Sequence, residues 1–234
     1  MIDMHVHLDL YKNMFEVSKI VNSQNIFTLA VTTSPKAWLY EKDFLQKYKN
    51  IKVAIGLHPE IVAKKSNEID LLIEGIAKTK FVGEIGLDFS RQYTKFFMVQ
   101  KKIFEAVLSE SSLLGGRILS IHSRNSISVV LEYIKKYPNC GIPILHWFSG
   151  GIAELKEAIK LGCYFSINPI MLKSKKGKEI FLSIPKECIL LESDGPFAKL
   201  NGKEIFPWDV IKFFPSIDKI LLRNNLNRLL TTIF

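Results

Sequence analysis

Met1-Ile2-Asp3-Met4-His5-Val6-His7 is a short strand-like run that ends in two histidines. The other three histidines of the chain also end apolar, β-rich runs, and so do two acidic residues; they are His58, His122, His146, Glu84 and Asp194. In an α/β barrel, functional side chains from distant sequence positions gather at the carboxyl ends of the strands. The placement therefore predicts a closed ring of strands with a polar centre at its mouth.

The apolar runs recur along the whole chain and alternate with amphipathic segments. Eight runs are strand candidates: Met1–Val6, Ile26–Val31, Ile51–Leu57, Phe81–Leu87, Ile118–Ile121, Ile142–Leu145, Cys163–Ile167 and Cys188–Leu191. Helical patterning lies between them, for example at Phe15–Asn22, Ile69–Thr79, Tyr93–Leu114, Ser126–Tyr137 and Ile152–Leu161. This order predicts an α/β fold, a single-domain (β/α)8 TIM barrel over residues 1–234, regular or distorted. A doubly wound open sheet is the alternative, disfavoured because no GxGxxG loop follows the first run.

Composition is that of a water-soluble globular chain. Of its 234 residues, 47% are hydrophobic and 24% charged. No apolar run approaches the roughly 18–20 residues of a membrane span, and the first residues lack a signal-peptide pattern. The three cysteines, Cys140, Cys163 and Cys188, match no zinc-binding spacing and are predicted to be core thiols. We therefore expect a cytoplasmic protein with no membrane partner.

Net charge is +9, which favours a polyanionic partner such as nucleic acid, although a merely soluble basic surface fits it equally well. Four lysines cluster after the seventh run, namely Lys173, Lys175, Lys176 and Lys178. Loops after strands seven and eight often bind phosphate in barrels. The cluster is thus a candidate clamp for a nucleic-acid backbone, with a solvated charge run as the equal alternative.

The histidines and carboxylates have the chemistry of a metal site. His5 and His7 are two apart on a strand, so they face the same way with backbones about 6.6 Å apart. Glu84 can bridge two ions with its two oxygens. Taken singly, each residue fits a hydrogen-bonded core histidine or a helix-capping carboxylate, and only the combination indicates metal. A mixed His/carboxylate set suits Zn, Mn, Co, Ni or Fe better than Mg.

Six motifs between residues 2 and 196 carry a family resemblance. They are Ile-Asp-Met-His-Val-His-Leu-Asp, Ile-Gly-Leu-His-Pro, Val-Gly-Glu-Ile-Gly-Leu-Asp-Phe, Ile-His-Ser-Arg, His-Trp-Phe-Ser-Gly and Glu-Ser-Asp-Gly-Pro. In this order they resemble the TatD-like metal-dependent hydrolases, a nuclease branch of the amidohydrolase superfamily. Residues 31–38, 115–124 and 193–198 further resemble QatD, the TatD-like component of bacterial Qat anti-phage defence systems.

The resemblance implies a set of roles. His5, His7, Glu84 and Asp194 would hold one divalent ion, and Glu84, His122 and His146 a second, with Zn, Mn or Mg as the metal. Water between the ions would attack a phosphodiester, with Asp194 and Glu84 as catalytic residues and Asp194 as the base. His58 would contact substrate from the rim. Arg124, Trp147, Lys173 and Lys175 are further substrate-contact candidates, while Asp88 and Asp9 are candidates to orient ligand histidines or cap helices.

The expected function is metal-dependent hydrolysis of DNA, as an exonuclease on single strands or 3′ ends, in anti-phage defence with other Qat proteins. Two alternatives remain: an ester or amide hydrolase resembling deacylases, and a nucleic-acid- or protein-binding subunit of a defence complex. Glu84, in place of a lysine, favours the nuclease branch by analogy. The chain departs from the family after Pro196 and in a final helix expected to be short that contains Asn227, which leaves the substrate contacts open.

Overall fold

The computed structural model describes residues 1–233. Its strands, in chain order, are β1 Ile2–Val6, β2 Phe27–Val31, β3 Ile51–Ala54, β4 Phe81–Gly86, β5 Ile118–His122, β6 Ile142–His146, β7 Tyr164–Ile167, β8 Ile189–Leu191, β9 Lys199–Leu200 and β10 Lys203–Glu204. Its α-helices are α1 Met14–Ser23, α2 Pro35–Leu45, α3 Val62–Lys65, α4 Ile69–Ile76, α5 Phe97–Leu114, α6 Ile127–Lys136, α7 Ile152–Lys160, α8 Lys175–Ser183 and α9 Lys219–Thr231. Short 3₁₀ helices fill several connections, including Leu8–Leu10, Pro59–Ile61, Arg91–Phe96 and Pro169–Lys173.

Two parallel sheets, β1–β2–β3 and β4 to β8, join at two seams into a barrel. At the first seam Ile55, just past β3, bridges to Val82, and Gly83 N donates to Ile55 O at 2.7 Å. At the second seam Asp194 N donates to His5 O, and His7 N to Gly195 O, both at 2.9 Å. The expected barrel is confirmed, and the open-sheet alternative is excluded because β1 is joined to the segment after β8.

Local sequence explains where the helices begin. Ser34 Oγ accepts a hydrogen bond from the amide of Ala37, and Pro35, which has no N–H, occupies the first turn of α2. Fewer amides of that turn are therefore left without a hydrogen-bond partner. Ser174 Oγ accepts from Gly177 N in the same way at the start of α8. All five residues of β1 and all six of β4 are buried, as expected for barrel strands covered on both faces.

Two segments differ from the sequence prediction. The β3 ladder ends at Ala54, not Leu57, because Ile55 leaves β2 and pairs with β4 across the seam. The last helix, expected to be short, has 13 residues. It is fixed to the barrel by Asn225, whose Nδ2 donates to Lys186 O and Ile189 O at 2.8 Å, whereas Asn227 is exposed.

Cysteine placement agrees with the expectation of core thiols. Cys140 and Cys163 are buried, Cys188 is half-buried, and all three are free. No helix within residues 1–233 combines the length and the apolarity needed to cross a membrane.

Candidate metal centre

Glu84 lies at the centre of the barrel mouth because β4 is irregular there. The β4–β5 ladder is interrupted between Val82 and Ile85. In the interruption, Glu84 N donates to Thr32 O and Gly83 O accepts from Thr32 N, both at 3.1 Å. Bulges of this kind redirect a side chain beside an active site. Here the Glu84 carboxylate enters the centre and is almost fully buried.

Five imidazoles surround the two oxygens of Glu84. On one side, His5 Nε2 and His7 Nε2 lie 3.5 and 3.2 Å from Oε2. On the other side, His58 Nε2, His122 Nδ1 and His146 Nε2 lie 3.1, 2.8 and 3.1 Å from Oε1. The carboxylate therefore divides the histidines into two half-sites, each with its own oxygen.

Asp194 completes the first half-site. Its Oδ1 lies 3.7 Å from His5 Nε2 and 3.8 Å from His7 Nε2. The residue takes a positive φ of 50°, and its amide bonds to His5 O, so the seam that closes the barrel also positions this carboxylate. Asp3 supports the same segment, because its Oδ1 accepts the amides of both His5 and Ser193.

Most of the histidines have an outer partner that fixes the ring. His5 Nδ1 lies 2.8 Å from Ser120 Oγ, and His122 Nε2 lies 3.0 Å from Asp88 Oδ2. His146 Nδ1 faces Glu192 Oε1 at 3.4 Å. His58 Nδ1 accepts the amide of Glu60 at 3.1 Å. Partners of this type set the ring orientation and the tautomer of a ligand histidine.

Burial and mutual charge shift the ionisation of the centre. Burial alone would raise the pKa of Glu84, but the imidazoles of His58, His5 and His146 hold that pKa well below its usual range. Burial, with His146 nearby, lowers the pKa of His5 well below its ordinary value. Burial raises the pKa of Asp194 to about 7, against the opposing effect of His146 and His7. Glu84 therefore stays ionised in spite of its burial, whereas the His5 imidazole is kept neutral.

The residues present fit a bound divalent cation. His5 Nε2 and His7 Nδ1 are buried without a hydrogen-bond partner in the described chain. Buried polar atoms left unpaired are costly, and a cation held by His5 Nε2 would satisfy that atom. Three trios bring candidate ligand atoms within 4.8 Å of one another: His5, His7 and Glu84; His58, Glu84 and His122; His5, His146 and Glu192.

A cleft of about 530 Å³ opens above the centre. Histidines and carboxylates of the candidate metal centre form its floor, and its walls include Glu60, Arg124, Trp147, Ser149 and Phe197. Clefts of this size accommodate small ligands or one unit of a polymer.

The structure brings the six predicted ligands together. His58, predicted as a substrate contact at the rim, lines the cleft, and its Nε2 is as near to Glu84 Oε1 as that of His146. Asp88 does orient His122. His7 Nδ1 has no hydrogen-bond partner among the described residues, so Asp9 does not do the same for His7.

The substrate-contact candidates divide by depth. Arg124 is exposed and Trp147 half-buried, and both line the cleft. Lys173 and Lys175 are exposed and lie outside the lining. The neighbouring Lys176 connects their segment to the cleft, since its Nζ donates to the carbonyl of Ser149 at 2.7 Å.

Sequence reasoning missed Glu192, Ser120 and Phe197. Glu192 is fully buried, and its second oxygen accepts a hydrogen bond from Ser166 Oγ. The only sequence signal for it is its place in Leu-Glu-Ser-Asp, two residues before the more conspicuous Asp194. Ser120 and Phe197 carry no signal, because their contacts depend on strands that are far apart in sequence.

Comparisons with known proteins show what the chain is similar to. The family described as TatD related DNase matches residues 2–227. A TATDN1 homologue from Encephalitozoon cuniculi, provisionally named a deoxyribonuclease, is 35% identical over 67% of this chain and 55% of its own length. Deoxyribonuclease Tat-D from Schizosaccharomyces pombe is 33% identical over 55% of this chain and 42% of its own. The chain thus spans about half the length of these relatives.

Solved structures show the same fold. The crystal structure of YjjV, a TatD homologue from Escherichia coli, superposes with a TM-score of 0.85 at 20% identity, covering 100% of this chain and 97% of that one. The family match extends over nearly every residue that builds the barrel and its centre, and the chain therefore belongs to the TatD-related DNase family.

Proposed function

We propose that the protein is a divalent-metal-dependent phosphodiester hydrolase that acts on DNA. The observation that carries the proposal is the buried Glu84 carboxylate, which offers one oxygen to His5 and His7 and the other to His58, His122 and His146. A carboxylate shared between two groups of nitrogen ligands could hold two ions close together, as in two-metal sites that cleave phosphodiesters. The family name and that of the fission-yeast relative support the same substrate.

Each residue has a role that follows from its position. His5, His7, Asp194 and Glu84 Oε2 would hold one ion, and Glu84 Oε1 with His122 and His146 a second, with His58 beside them. Bound divalent ions would lower the pKa of water and stabilise charge on the phosphate oxygens. Asp194 would accept the proton of the attacking water at a carboxylate oxygen. Arg124, on the wall of the cleft, has a planar fork suited to a phosphate oxygen.

The test is cleavage of end-labelled single- and double-stranded DNA in Mn, Mg or Zn. The wild-type protein is expected to cleave, and Asp194→Asn and His122→Ala are expected to lose at least a hundredfold in rate. Glu187→Gln, an exposed carboxylate outside the cleft, is the matched control and should cleave normally. Equal rates in all variants, or no cleavage with any metal, would contradict the proposal.

The same centre is compatible with ester or amide hydrolysis. The cationic surface favours DNA, because net charge +9 attracts a polyanion and not a neutral acyl compound. Hydrolysis of p-nitrophenyl acetate or an N-acetyl amino acid, faster than that of DNA, would favour the deacylase alternative. A binding subunit without catalysis is disfavoured, because such a subunit would not need all six of the predicted metal ligands that the chain contains.

Attack at 3′ ends or on single strands is a finer proposal that rests on the ligand set, the basic charge and the TatD resemblance. A role in anti-phage defence with Qat proteins rests on the resemblance of residues 31–38, 115–124 and 193–198. The relatives described above carry nuclease names without mention of defence. Phage plating on cells that carry the complete Qat gene set tests the role. We expect His5→Ala to abolish protection, and undiminished protection would contradict it.

A further inference from the structure

Phe197 is an exposed aromatic side chain at the mouth of the centre. It is 61% exposed, and it lines the cleft with Trp147. Other exposed apolar side chains, such as Met98 and Leu113, do not line the cleft. An apolar ring that is exposed to water beside the candidate metal centre gains stability when a ligand covers its surface.

The Phe197 ring is held at a fixed position relative to the residues of the candidate metal centre. It packs edge-to-face against His7, with centroids 5.0 Å apart. The backbone is fixed too, because Ala198 N donates to Asp194 O and Asp194 N to His5 O, both at 2.9 Å. A group bound on Phe197 would therefore be aligned with the centre without rearrangement of the chain.

Cationic groups follow the ring directly. The β9–β10 hairpin begins at Lys199, two residues after Phe197, and carries Lys203, and both lysines are exposed. Lys173 Nζ lies 3.3 Å from Asn201 Oδ1, so the lysine-rich segment that leads into α8 adjoins the hairpin. An aromatic face beside a positively charged track is the arrangement that binds single-stranded nucleic acid by base stacking and phosphate contacts.

Building on the proposed function, we infer that Phe197 is a stacking platform for an unpaired nucleobase next to the hydrolysed phosphodiester, with the strand's phosphates directed along the hairpin and α8 lysines. A base within a duplex has both faces covered by its neighbours and cannot stack on the ring. Phe197 therefore sets the preference for unpaired ends and acts as a specificity residue, not as a metal ligand.

The experiment measures binding separately from cleavage. Short fluorescein-labelled oligonucleotides with phosphorothioate terminal linkages, either fully based or abasic at the terminal nucleotides, are titrated with wild type, Phe197→Ala, Phe197→Trp and the control Met98→Ala, with and without Mn²⁺. Anisotropy gives Kd, and KM and kcat are measured on cleavable DNA. We expect Phe197→Ala to weaken binding of the based oligonucleotide roughly tenfold and to raise KM, with Phe197→Trp and Met98→Ala near wild type.

The abasic oligonucleotide separates stacking from a general structural defect. Wild type and Phe197→Ala should bind it with the same Kd, since no base is present to stack. An equal loss on based and abasic oligonucleotides, or no loss on either, would overturn the inference while cleavage by wild type still upheld the proposed function. Failure of the wild type to bind or cleave any oligonucleotide would remove both.

Discussion

Glu84 shows how one side chain organises the centre at the residue scale. Each of its oxygens faces a different group of imidazoles, and the ionised carboxylate is kept by those imidazoles in spite of burial. Behind the imidazoles, Ser120, Asp88 and Glu192 hold the rings. The arrangement around Glu84 therefore depends on these outer residues as well as on the imidazoles.

Glu192→Gln is expected to weaken metal binding about 10- to 100-fold, because the carboxylate that orients His146 through Nδ1 is replaced by a neutral amide. Isothermal titration with Zn²⁺ or Mn²⁺ measures the change. Glu187→Gln, five residues earlier and exposed, should bind metal as wild type does. An affinity of Glu192→Gln equal to that of Glu187→Gln would show that the contact is incidental.

Glu41 is a fully buried carboxyl in α2 with no hydrogen-bond partner for either oxygen among the described residues. Burial raises its pKa well above the ordinary 4.5, and Asp9 adds to the effect. The folded state thus keeps this proton to a higher pH than the unfolded state does. Stability from this group is present below pH 4.5 and declines as pH rises towards the folded-state pKa.

Glu41→Met is therefore expected to raise the free energy of unfolding by roughly 1–3 kcal/mol at pH 8 and by less at pH 5. Urea unfolding at the two pH values measures both gains. The exposed Glu74→Met serves as control and should show no pH-dependent gain. A gain that is the same at pH 5 and pH 8 would contradict a raised pKa for Glu41.

At the scale of elements, the seam between β3 and β4 determines where Glu84 points. Gly56, two residues past β3, lies against the backbone of both Thr32 and Glu84. A Cβ at this position would overlap Glu84 N, Glu84 O and Thr32 O, which are all backbone atoms that cannot move aside cheaply. A change that disturbs the packing of the seam is thus expected to displace the Glu84 carboxylate as well.

Gly56→Ala is expected to destabilise the fold by about 3 kcal/mol or more, in the range of severe backbone and overpacking effects, and to weaken metal binding in the protein that remains folded. Thermal unfolding and Zn²⁺ titration measure the two effects. At Gly151 an added Cβ meets only Glu154 Oε2, at 3.5 Å, so Gly151→Ala is the control. If Gly56→Ala were as stable as the wild type, the close contact of Gly56 with the backbone of Thr32 and Glu84 would be refuted.

Sequence patterning predicts the elements well where burial is regular and poorly where strands change partners. β1, β4 and β5 start or end within about one residue of their apolar runs, since strands covered on both faces must be apolar throughout. β3 is shorter than its run, because hydrophobicity does not record that Ile55 pairs across the seam. His58 is likewise drawn into the centre by that change of direction, which its Gly-Leu-His-Pro motif does not reveal.

At the scale of the whole molecule, lysines lie at both ends of the barrel, and only some of them lie near the candidate metal centre. The α8 lysines and the β9–β10 hairpin follow strands, so they lie at the same end as the centre, whereas Lys49 and Lys78 precede β3 and β4 and lie at the opposite end. The total of +9 is readable from composition. The position of the lysines after β7 and in the β9–β10 hairpin at the same end as the cleft is not, because it depends on closure of the ring.

Lys173→Ala combined with Lys175→Ala is expected to weaken binding of single-stranded DNA and to make the slope of log Kd against log salt shallower by about 1.4, that is, about 0.7 for each phosphate that the protein no longer neutralises. Anisotropy titrations between 50 and 200 mM NaCl measure the slope. The matched pair Lys49→Ala and Lys78→Ala removes the same charge from the far end. A slope change as large in that pair would mean that only net charge matters.

Closure of the barrel links the first residues of the chain to residues almost 200 positions later. Asp3 accepts the amide of Ser193 across a separation of 190 residues, and His5 accepts that of Asp194. Translation at about 5–20 residues per second needs roughly 10–40 s to cover that distance. During this time the growing polypeptide acquires all five histidines before the aspartate that joins them, Asp194, has been added. The candidate metal centre therefore cannot be complete until Asp194 and the segment around it have been synthesised.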